Sequence, residues 1–318
     1  MKSPVTCISL RDMQPVSAFP AEAVLCLGNF DGVHTAHRKL IRETVRLRDD
    51  RAPRAATGAF CFRVPTSFYL SPTPIPQLSS VEDKLHAFRK EGLDYAYLAE
   101  FEEIRELTAS TFAKDILHDL CHCCGIVCGF NHRYGKGGTG TPELLGELLN
   151  VPTTILPQET LLGDTVSSTR IRQLLTEGNP TDAATLLGAP YGITATIVHG
   201  KALGRTHGIP TVNQNFPPLR LIPRHGVYLT RCTVDDKQVF GLTNVGLRPT
   251  VDKNAAVNCE TFLLDFSGDL YDSSMRVEFL EFLRPETKFA SEEALYEQIH
   301  RDLAAARDRI FHYSNSNV

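Results

Sequence analysis

Apolar and polar residues recur with two different periods along this chain, and the change of period divides it. In the first part, short continuous apolar runs at 24–27, 55–62, 95–98, 125–130 and 151–156 read as strands buried on both faces. Between them, apolar residues return every three to four positions. Residues 36–48 set Ala36, Leu40, Ile41, Thr44 and Leu47 on one face and Arg38, Lys39, Arg42, Glu43 and Arg46 on the other, which predicts an amphipathic helix. Ser80 caps a second helix carrying Leu85 and Phe88, and Gly92 stops it. Residues 108–124 predict a third, and Pro142 opens a fourth at its first position. Strands alternating with helices imply a doubly wound parallel sheet with right-handed crossovers, whose ligands bind beyond the carboxyl ends of the strands.

Past Tyr191 the period shortens. The runs 193–199, 226–234, 239–245, 258–266 and 275–283 are β-branched or aromatic, separated by turn residues, with no helical period between them. Such a series reads as an antiparallel barrel or sandwich. A long helix closes the chain: Ser291 caps it, Glu292 and Glu293 favour its positive end, and Leu295, Ile299, Leu303, Ala306 and Ile310 form its apolar stripe.

Composition narrows the classes. With 318 residues there is room for two domains with separate cores. The 37 acidic and 33 basic residues, without a segregated basic block, argue against a nucleic-acid surface. No run is long and apolar enough to span a membrane, and the first twenty residues lack the pattern of a signal peptide, so a cytoplasmic protein is expected. Nine cysteines fit reduced thiols better than a disulfide framework. The cluster Cys121, His122, Cys123, Cys124 and Cys128 is metal-like in composition. However, Cys121 and Cys124 continue the helical spacing of Ile116, Leu117 and Leu120, and Cys128 lies in a strand-like run, so core packing is expected.

Three stretches carry candidate chemistry. In Gly28-Asn29-Phe30-Asp31-Gly32-Val33-His34-Thr35-Ala36-His37, an apolar strand runs into a glycine turn and a helix start, where unpaired N–H groups and the helix dipole suit phosphate. His34 and His37 are expected to share one helical face and to donate to oxyanions. They lack the His-Glu-x-x-His pattern of a zinc site. Val166-Ser167-Ser168-Thr169-Arg170-Ile171-Arg172 offers hydroxyls at a second helix start and an arginine one turn in; standing alone it is also an ordinary cap with a surface arginine. The third stretch, Gly200 to Asn213, is a glycine loop ending in Pro210-Thr211-Val212-Asn213. The Thr211 hydroxyl and Asn213 amide oxygen are hard donors suited to Mg²⁺. The run Gly135-Lys136-Gly137-Gly138-Thr139-Gly140 is not a P-loop, because Gly137 follows Lys136 where Ser or Thr is required.

Taken together, Gly-Asn-Phe-Asp-Gly-x-His-x-x-His and the distant Ser168-Thr169-x-x-Arg172 resemble the adenylyltransferase half of the bacterial bifunctional riboflavin kinase/FAD synthetases. Gly129-Phe130-Asn131-His132-Arg133-Tyr134-Gly135 is similar to a third motif of that family, and Leu186-Leu187-Gly188-Ala189-Pro190-Tyr191 to its junction. In the β half, the stretch ending in Thr211 and Asn213, the Asn244 to Thr250 and Leu283 to Phe289 segments, and Glu260 at the head of an apolar strand are similar to the kinase module. The resemblance implies a nucleotidyltransferase domain of the doubly wound kind at 1–186 and an antiparallel six-stranded barrel kinase domain with a C-terminal helix at 187–318. It implies phosphorylation of riboflavin to FMN and adenylylation of FMN to FAD, with Mg²⁺ and ATP. His34, His37 and Glu260 would be catalytic. Gly28, Asn29, Phe30, Asp31, Asn131, Ser168, Thr169, Arg172, Gly204, Arg205, Gly208, Thr211, Asn213 and Arg284 would bind nucleotide or flavin, with Thr211 and Asn213 on the metal. Riboflavin, FMN and ATP are the expected partners, with no nucleic acid or membrane; the oligomeric state is open. The chain departs from the family at Ala36, where glycine is usual, at Phe62-Arg63-Val64-Pro65, where Pro-His-Pro is usual, and at His132, where phenylalanine is expected. A kinase whose first module only binds nucleotide is the alternative these departures leave open.

Overall fold

In a computed structural model, residues 5–9, 19–198, 210–234, 237–247, 257–266, 268, 270 and 273–315 are described, with side chains to residue 310. The chain divides into two compact units, Met1–Arg170 and Ile171–Val318.

The first unit is built on strands β1 (Thr6–Ser9), β2 (Ala23–Leu27), β3 (Ala56–Phe62), β4 (Tyr95–Ala99), β5 (Cys123–Gly129) and β6 (Thr153–Leu156). They form one parallel sheet in the order β1-β4-β3-β2-β5-β6, so the order reverses between β2 and β5. Each side of β2 meets a separate core. Ala23, Leu25 and Leu27 pack with the segment from Phe112 to Leu120, whereas Val24 and Cys26 face Leu40, Ile41 and Phe88. That two-sided burial is why β2 reads as unbroken apolar sequence. The helices are α1 (Thr35–Arg51), α2 (Thr66–Leu70), α3 (Val81–Glu91), α4 (Phe101–Ile104), α5 (Ala109–Thr111) and α6 (Pro142–Leu149). Ser80 and Asp83 close a reciprocal capping box on α3, and Gly92 ends it at φ +98°, as the sequence predicts. Pro142 stands at the first turn of α6. Among the described residues, no helix is long and apolar enough to cross a membrane.

The stretch predicted as one helix over 108–124 is different. Only α5 is α-helical; Phe112–Leu120 is π-helical, and the chain then turns through His122 at φ +50° into β5. Cys124 therefore lies in β5 rather than on a helix face. Cys121, Cys123 and Cys128 are buried, and burial pushes their thiols up, consistent with core packing.

A short hairpin, β7 (Thr160–Leu161) and β8 (Asp164–Thr165), precedes α7 (Ser168–Glu177) and α8 (Pro180–Leu187). Most of α7 and all of α8 belong to the second unit, so the compact division falls ahead of the 186/187 boundary expected from sequence. One reason is that α8 is held by the β half: the Thr181 hydroxyl donates to the Leu280 carbonyl at 3.2 Å.

The second unit is a closed antiparallel barrel of β9 (Tyr191–Val198), β10 (Thr211–Asn215), β11 (Gly226–Val234), β12 (Lys237–Leu247), β13 (Val257–Leu263) and β14 (Ser274–Arg284), in the order β10-β13-β12-β11-β14-β9. A barrel rather than a sandwich results because β10 closes the ring between β13 and β9. Strand β10 lies outside the predicted β runs, because its Thr, Asn and Gln residues carry no apolar alternation. The last helix, α9 (Glu292–Asn315), begins where the Ser291 hydroxyl accepts the Ala294 N–H. Its Ile299, Leu303, Ala306 and Ile310 pack on Val227, Leu229, Leu242 and Leu280 outside the barrel.

Inside the barrel, three threonine hydroxyls are paired with one another. The buried hydroxyls of Thr230 and Thr243 lie 2.7 Å apart, those of Thr243 and Thr261 2.9 Å apart, and Thr230 donates to the Gly241 carbonyl at 3.0 Å. With that last bond fixed, the chain can run in one direction, Thr261 to Thr243 to Thr230 to the carbonyl. Thr243→Val keeps the volume but strands the Thr261 hydroxyl. We expect it to cost roughly 1–3 kcal/mol, the range for an unsatisfied buried polar group, read as a lowered denaturant midpoint. An unchanged midpoint would show that the ladder contributes nothing.

Candidate active sites

The first site lies beyond the carboxyl end of β2, beside the reversal of strand order. Past Gly28, whose N–H donates to the Phe60 carbonyl at 3.3 Å, the backbone turns left-handed at Phe30 (φ +50°), Gly32 (+85°) and Val33 (+44°). Glycine tolerates this region; a β-branched valine is strained there and stays only if its surroundings insist. Those surroundings are specific. Asp31, 1% exposed, accepts through one carboxylate oxygen the N–H groups of Leu78 (2.8 Å) and Ser79 (3.1 Å) and the Ser79 hydroxyl (3.4 Å). The Ser79 oxygen in turn accepts the Gly32 N–H at 2.9 Å. Asn29 bonds Thr66 both ways, its amide nitrogen to the hydroxyl at 3.1 Å and its oxygen from the N–H at 3.2 Å.

The turn delivers His34 as the N-cap of α1, not as a residue within the helix. Its Nδ1 accepts the His37 N–H at 3.4 Å, and the two imidazoles stack at 3.7 Å between centroids and 12° between planes. A neutral His34 accepting at Nδ1 carries its proton on Nε2, which is then a donor. Burial pushes His34 down to about 4 and holds His37 well below the ordinary histidine value, with the charges of His34 and Lys84 adding to the latter. Two buried polar atoms in this first turn have no partner, the Thr35 hydroxyl and His37 Nδ1. First-turn N–H groups have no acceptor within a helix, so this turn gathers polar atoms that a ligand's oxygens could meet. Ala36 has an ordinary helical backbone, so its position does not require glycine on conformational grounds.

The distant serine motif reaches this loop: Ser168, at the start of α7, donates its hydroxyl to the Asp31 carbonyl at 2.8 Å. Thr169 beside it is exposed, and Arg172 follows one turn later on α7, in the second unit. Asn131 is exposed just past β5, on the other side of the strand reversal, where His132 N–H closes a turn on the Gly129 carbonyl at 3.0 Å. The His132 ring stacks on Tyr134 with a buried, unpartnered Nε2, and burial holds it down to about 4. Phe30, expected among the ligand contacts, is instead wholly enclosed, its ring 5.2 Å from Phe88 and 4.9 Å from His37. It supports the histidine pair from behind and offers no side chain to a ligand. Asn29 and Asp31 spend the bonds just described on the loop itself. Ser79 and Thr66, the partners that make this possible, stand in no motif and carry no signal in the sequence.

The second site lies on the barrel. Adjacent strands β10 and β13 pair Asn213 with Glu260, and β12 brings Asn244 to the other side of Glu260. The Thr211 hydroxyl donates to Glu260 Oε1 at 2.6 Å. Because that donation uses the hydroxyl proton, the lone pairs of Thr211 Oγ1 are left for a cation. Asn213 is 7% exposed, and its amide oxygen accepts the Asn258 amide N–H at 3.0 Å. Asn258, two residues before Glu260, shares its strand face; that spacing was the available signal. Arg284, expected to bind ligand, has its guanidinium on Asp302 of α9, with Nε–Oδ2 at 2.9 Å and an ion pair at 2.8 Å. That contact ties α9 to the barrel. Gly204, Arg205 and Gly208 lie outside the described residues.

Comparison with known proteins bears on both sites. A family model described as FAD synthetase matches residues 16–170, and one described as riboflavin kinase matches residues 187–310. A bifunctional riboflavin kinase/FMN adenylyltransferase of Listeria monocytogenes is 33% identical over 88% of this chain and 90% of its own length. The Escherichia coli K12 protein of the same description is 33% identical over 94% of this chain and 96% of its own. A solved structure described as a macrolide-efflux protein from Streptococcus pneumoniae superposes with a TM-score of 0.86 at 28% identity, covering 95% of this chain and 99% of that one.

The depressed histidine value has a thermodynamic consequence. His34 titrates near 6.5 when unfolded and about 4 when folded, so between those values the unfolded chain binds more protons and stability falls as pH falls. From about 1.4 kcal/mol per pKa unit, His34 alone should cost roughly 2 kcal/mol by about pH 5. Denaturant unfolding across that window should show the slope, and His34→Asn, which can still cap but does not titrate, should flatten it. An equal slope in the variant would refute the assignment.

Proposed function

Because the chain belongs to the family of bifunctional riboflavin kinase/FMN adenylyltransferases and converts riboflavin to FMN and FMN to FAD, we propose which of its residues carry each step. It is a transferase with ATP as co-substrate, and a kinase-only chain is not favoured, since the first module also matches its family. We assign adenylyl transfer to 1–186 and phosphorylation to 187–318, in keeping with the break between the two family matches.

The observation that carries the kinase assignment is the 2.6 Å bond from Thr211 to Glu260. It orients one carboxylate oxygen and leaves the other for the riboflavin 5′-hydroxyl, whose proton Glu260 takes as general base. Thr211 Oγ1 and Asn213 Oδ1 are the donors we assign to Mg²⁺, and hard uncharged oxygens with no carboxylate cage suit an ion that keeps water and phosphate in its shell. When bound, the ion neutralises charge on the transferring phosphates. The Asn258 amide donates to that same Asn213 oxygen, which fixes it and leaves its second lone pair for the ion. Gly204, Arg205 and Gly208 are assigned to the phosphate loop on the sequence resemblance alone.

For adenylyl transfer, the FMN phosphate attacks the α-phosphorus of ATP directly, and pyrophosphate leaves. His34 donates through Nε2, and His37, Ser168, Thr169 and Arg172 are assigned to the same phosphates, with the Gly28 turn and Asn131 lining the subsite. The buried neutral imidazoles are hydrogen-bond donors at fixed positions rather than counter-charges. Nine free thiols support action in a reducing cytoplasm.

Chromatography of flavins formed from riboflavin with Mg-ATP tests both activities together, and both FMN and FAD are expected. Glu260→Ala should lower riboflavin phosphorylation by roughly a hundredfold or more while FMN is still adenylylated. His34→Ala should do the reverse, lowering FAD formation from supplied FMN by roughly two to three orders of magnitude with FMN production intact. Parallel loss of both activities in either variant would deny the division of labour.

A further inference from the structure

Lys84, on α3, is wholly enclosed, with 0% exposure. Its ammonium donates to the Phe62 carbonyl at 3.0 Å, and among the described residues no carboxylate pairs with it. A buried ammonium with one neutral acceptor is an expensive arrangement, and an apolar side chain of the same length would serve packing better. The charge is therefore being kept for something. Its place is directly behind the adenylyl-transfer loop. Ser80 caps the same helix next to Ser79, which clasps Asp31 and Gly32, and Phe88, one turn on, packs on Phe30 beneath His37. Phe62 ends the strand adjacent to β2, and the Lys84 charge is felt at His37, where it helps hold the imidazole neutral. Asp31, the buried acid of that loop, places its carboxylate on Leu78 and Ser79 and is not an ion-pair partner of Lys84.

We propose that Lys84 is a positioning residue of the adenylyl-transfer site, its buried ammonium supplying the fixed positive charge against which the triphosphate of ATP and the departing pyrophosphate are held. The inference rests on the adenylyl-transfer reading given above. Arg172, assigned above to the same phosphates, brings one positive charge to that site, and Lys84 adds a second that is fixed by burial. The site's two histidines are neutral, so they orient phosphate oxygens without balancing them. A charge with no carboxylate partner, shielded from water, acts at a distance with little screening, and enters the loop without exposing a mobile side chain. Lys84 does not touch the reacting atoms; its effect is on the potential of the loop and on the Phe62 carbonyl it anchors.

The test is inhibition of FAD formation from FMN and ATP, measured in the full-length protein with pyrophosphate and with adenosine as separate inhibitors. Lys84→Met removes the charge at similar volume, and Lys84→Gln removes it while still able to donate to the Phe62 carbonyl. In both, the pyrophosphate inhibition constant and the KM for ATP should rise roughly ten- to a hundredfold, as expected for losing one weakly screened unit charge. Adenosine inhibition and riboflavin phosphorylation should not change, and the melting temperature should not fall. Unchanged pyrophosphate inhibition in whichever variant folds overturns the proposal. So does equal weakening of adenosine and pyrophosphate with a lowered melting temperature, which marks a framework lysine. Absence of FAD formation from FMN by the unmodified protein is a separate result, which would overturn the adenylyl-transfer reading itself.

Discussion

The first site depends on one buried carboxylate. Residues 30–33 adopt a backbone that neither phenylalanine nor valine favours, and Asp31 stabilises it by gathering three donors from the chain before α3. Each such charge-assisted bond is stronger than a neutral one, and together they outweigh strain on the order of 1–3 kcal/mol per left-handed residue. Everything functional in the loop follows. The turn places His34 ahead of α1 as its cap, the cap stacks it on His37, and the Asp31 carbonyl is left facing Ser168. The acid in the middle of this motif thus spends one carboxylate oxygen on holding the turn that positions its neighbours.

How much of this was legible divides along the same line. The strands of the parallel sheet could be read because both their faces are buried, so apolar sequence marks them without ambiguity. Caps at Ser80, Gly92 and Pro142 could be read because their chemistry is local. What could not be read depends on partners distant in the chain. Nothing in Ser79 or Thr66 announces a bond to Asp31 or Asn29, and nothing in Arg284 distinguishes a ligand contact from a bond to Asp302 on α9. Phe30 sits in the middle of a polar motif yet belongs to the core. The π-helix at Phe112–Leu120 also escaped, because its apolar spacing over nine residues fits an α-helix equally well.

The barrel solves a different problem, since its chemistry and its core share the same strands. Register decides which is which. Asn213, Glu260 and Asn244 align across three strands on one face, while Thr261 and Thr243 are paired, and Gln214 buried, on the other. A slip of one residue would exchange the two sets, burying the carboxylate and exposing the hydroxyl ladder. The interior threonines therefore do more than fill space. Their bonds to one another are satisfied only in the native register, so they specify the alignment that brings Thr211 and Asn213 to Glu260. Strand β10 illustrates the cost to sequence reading: polar on both faces, it was seen as a motif and not as a strand.

The two modules share a design in how polar atoms are distributed. Framework groups bond to one another: Asp31 with Ser79, Asn29 with Thr66, Thr230 with Thr243, Arg284 with Asp302. Among the described residues, buried atoms without partners near the first site include the Thr35 hydroxyl and His37 Nδ1, in the first turn of α1, and His132 Nε2 past β5. Unsatisfied buried groups are costly, which is why their clustering in one turn stands out against the paired framework. The histidines add a refinement. Buried deeply enough to remain neutral, they hold the same charge state across the ordinary pH range. The cost is that neutral donors cannot balance charge, a task left to cationic side chains.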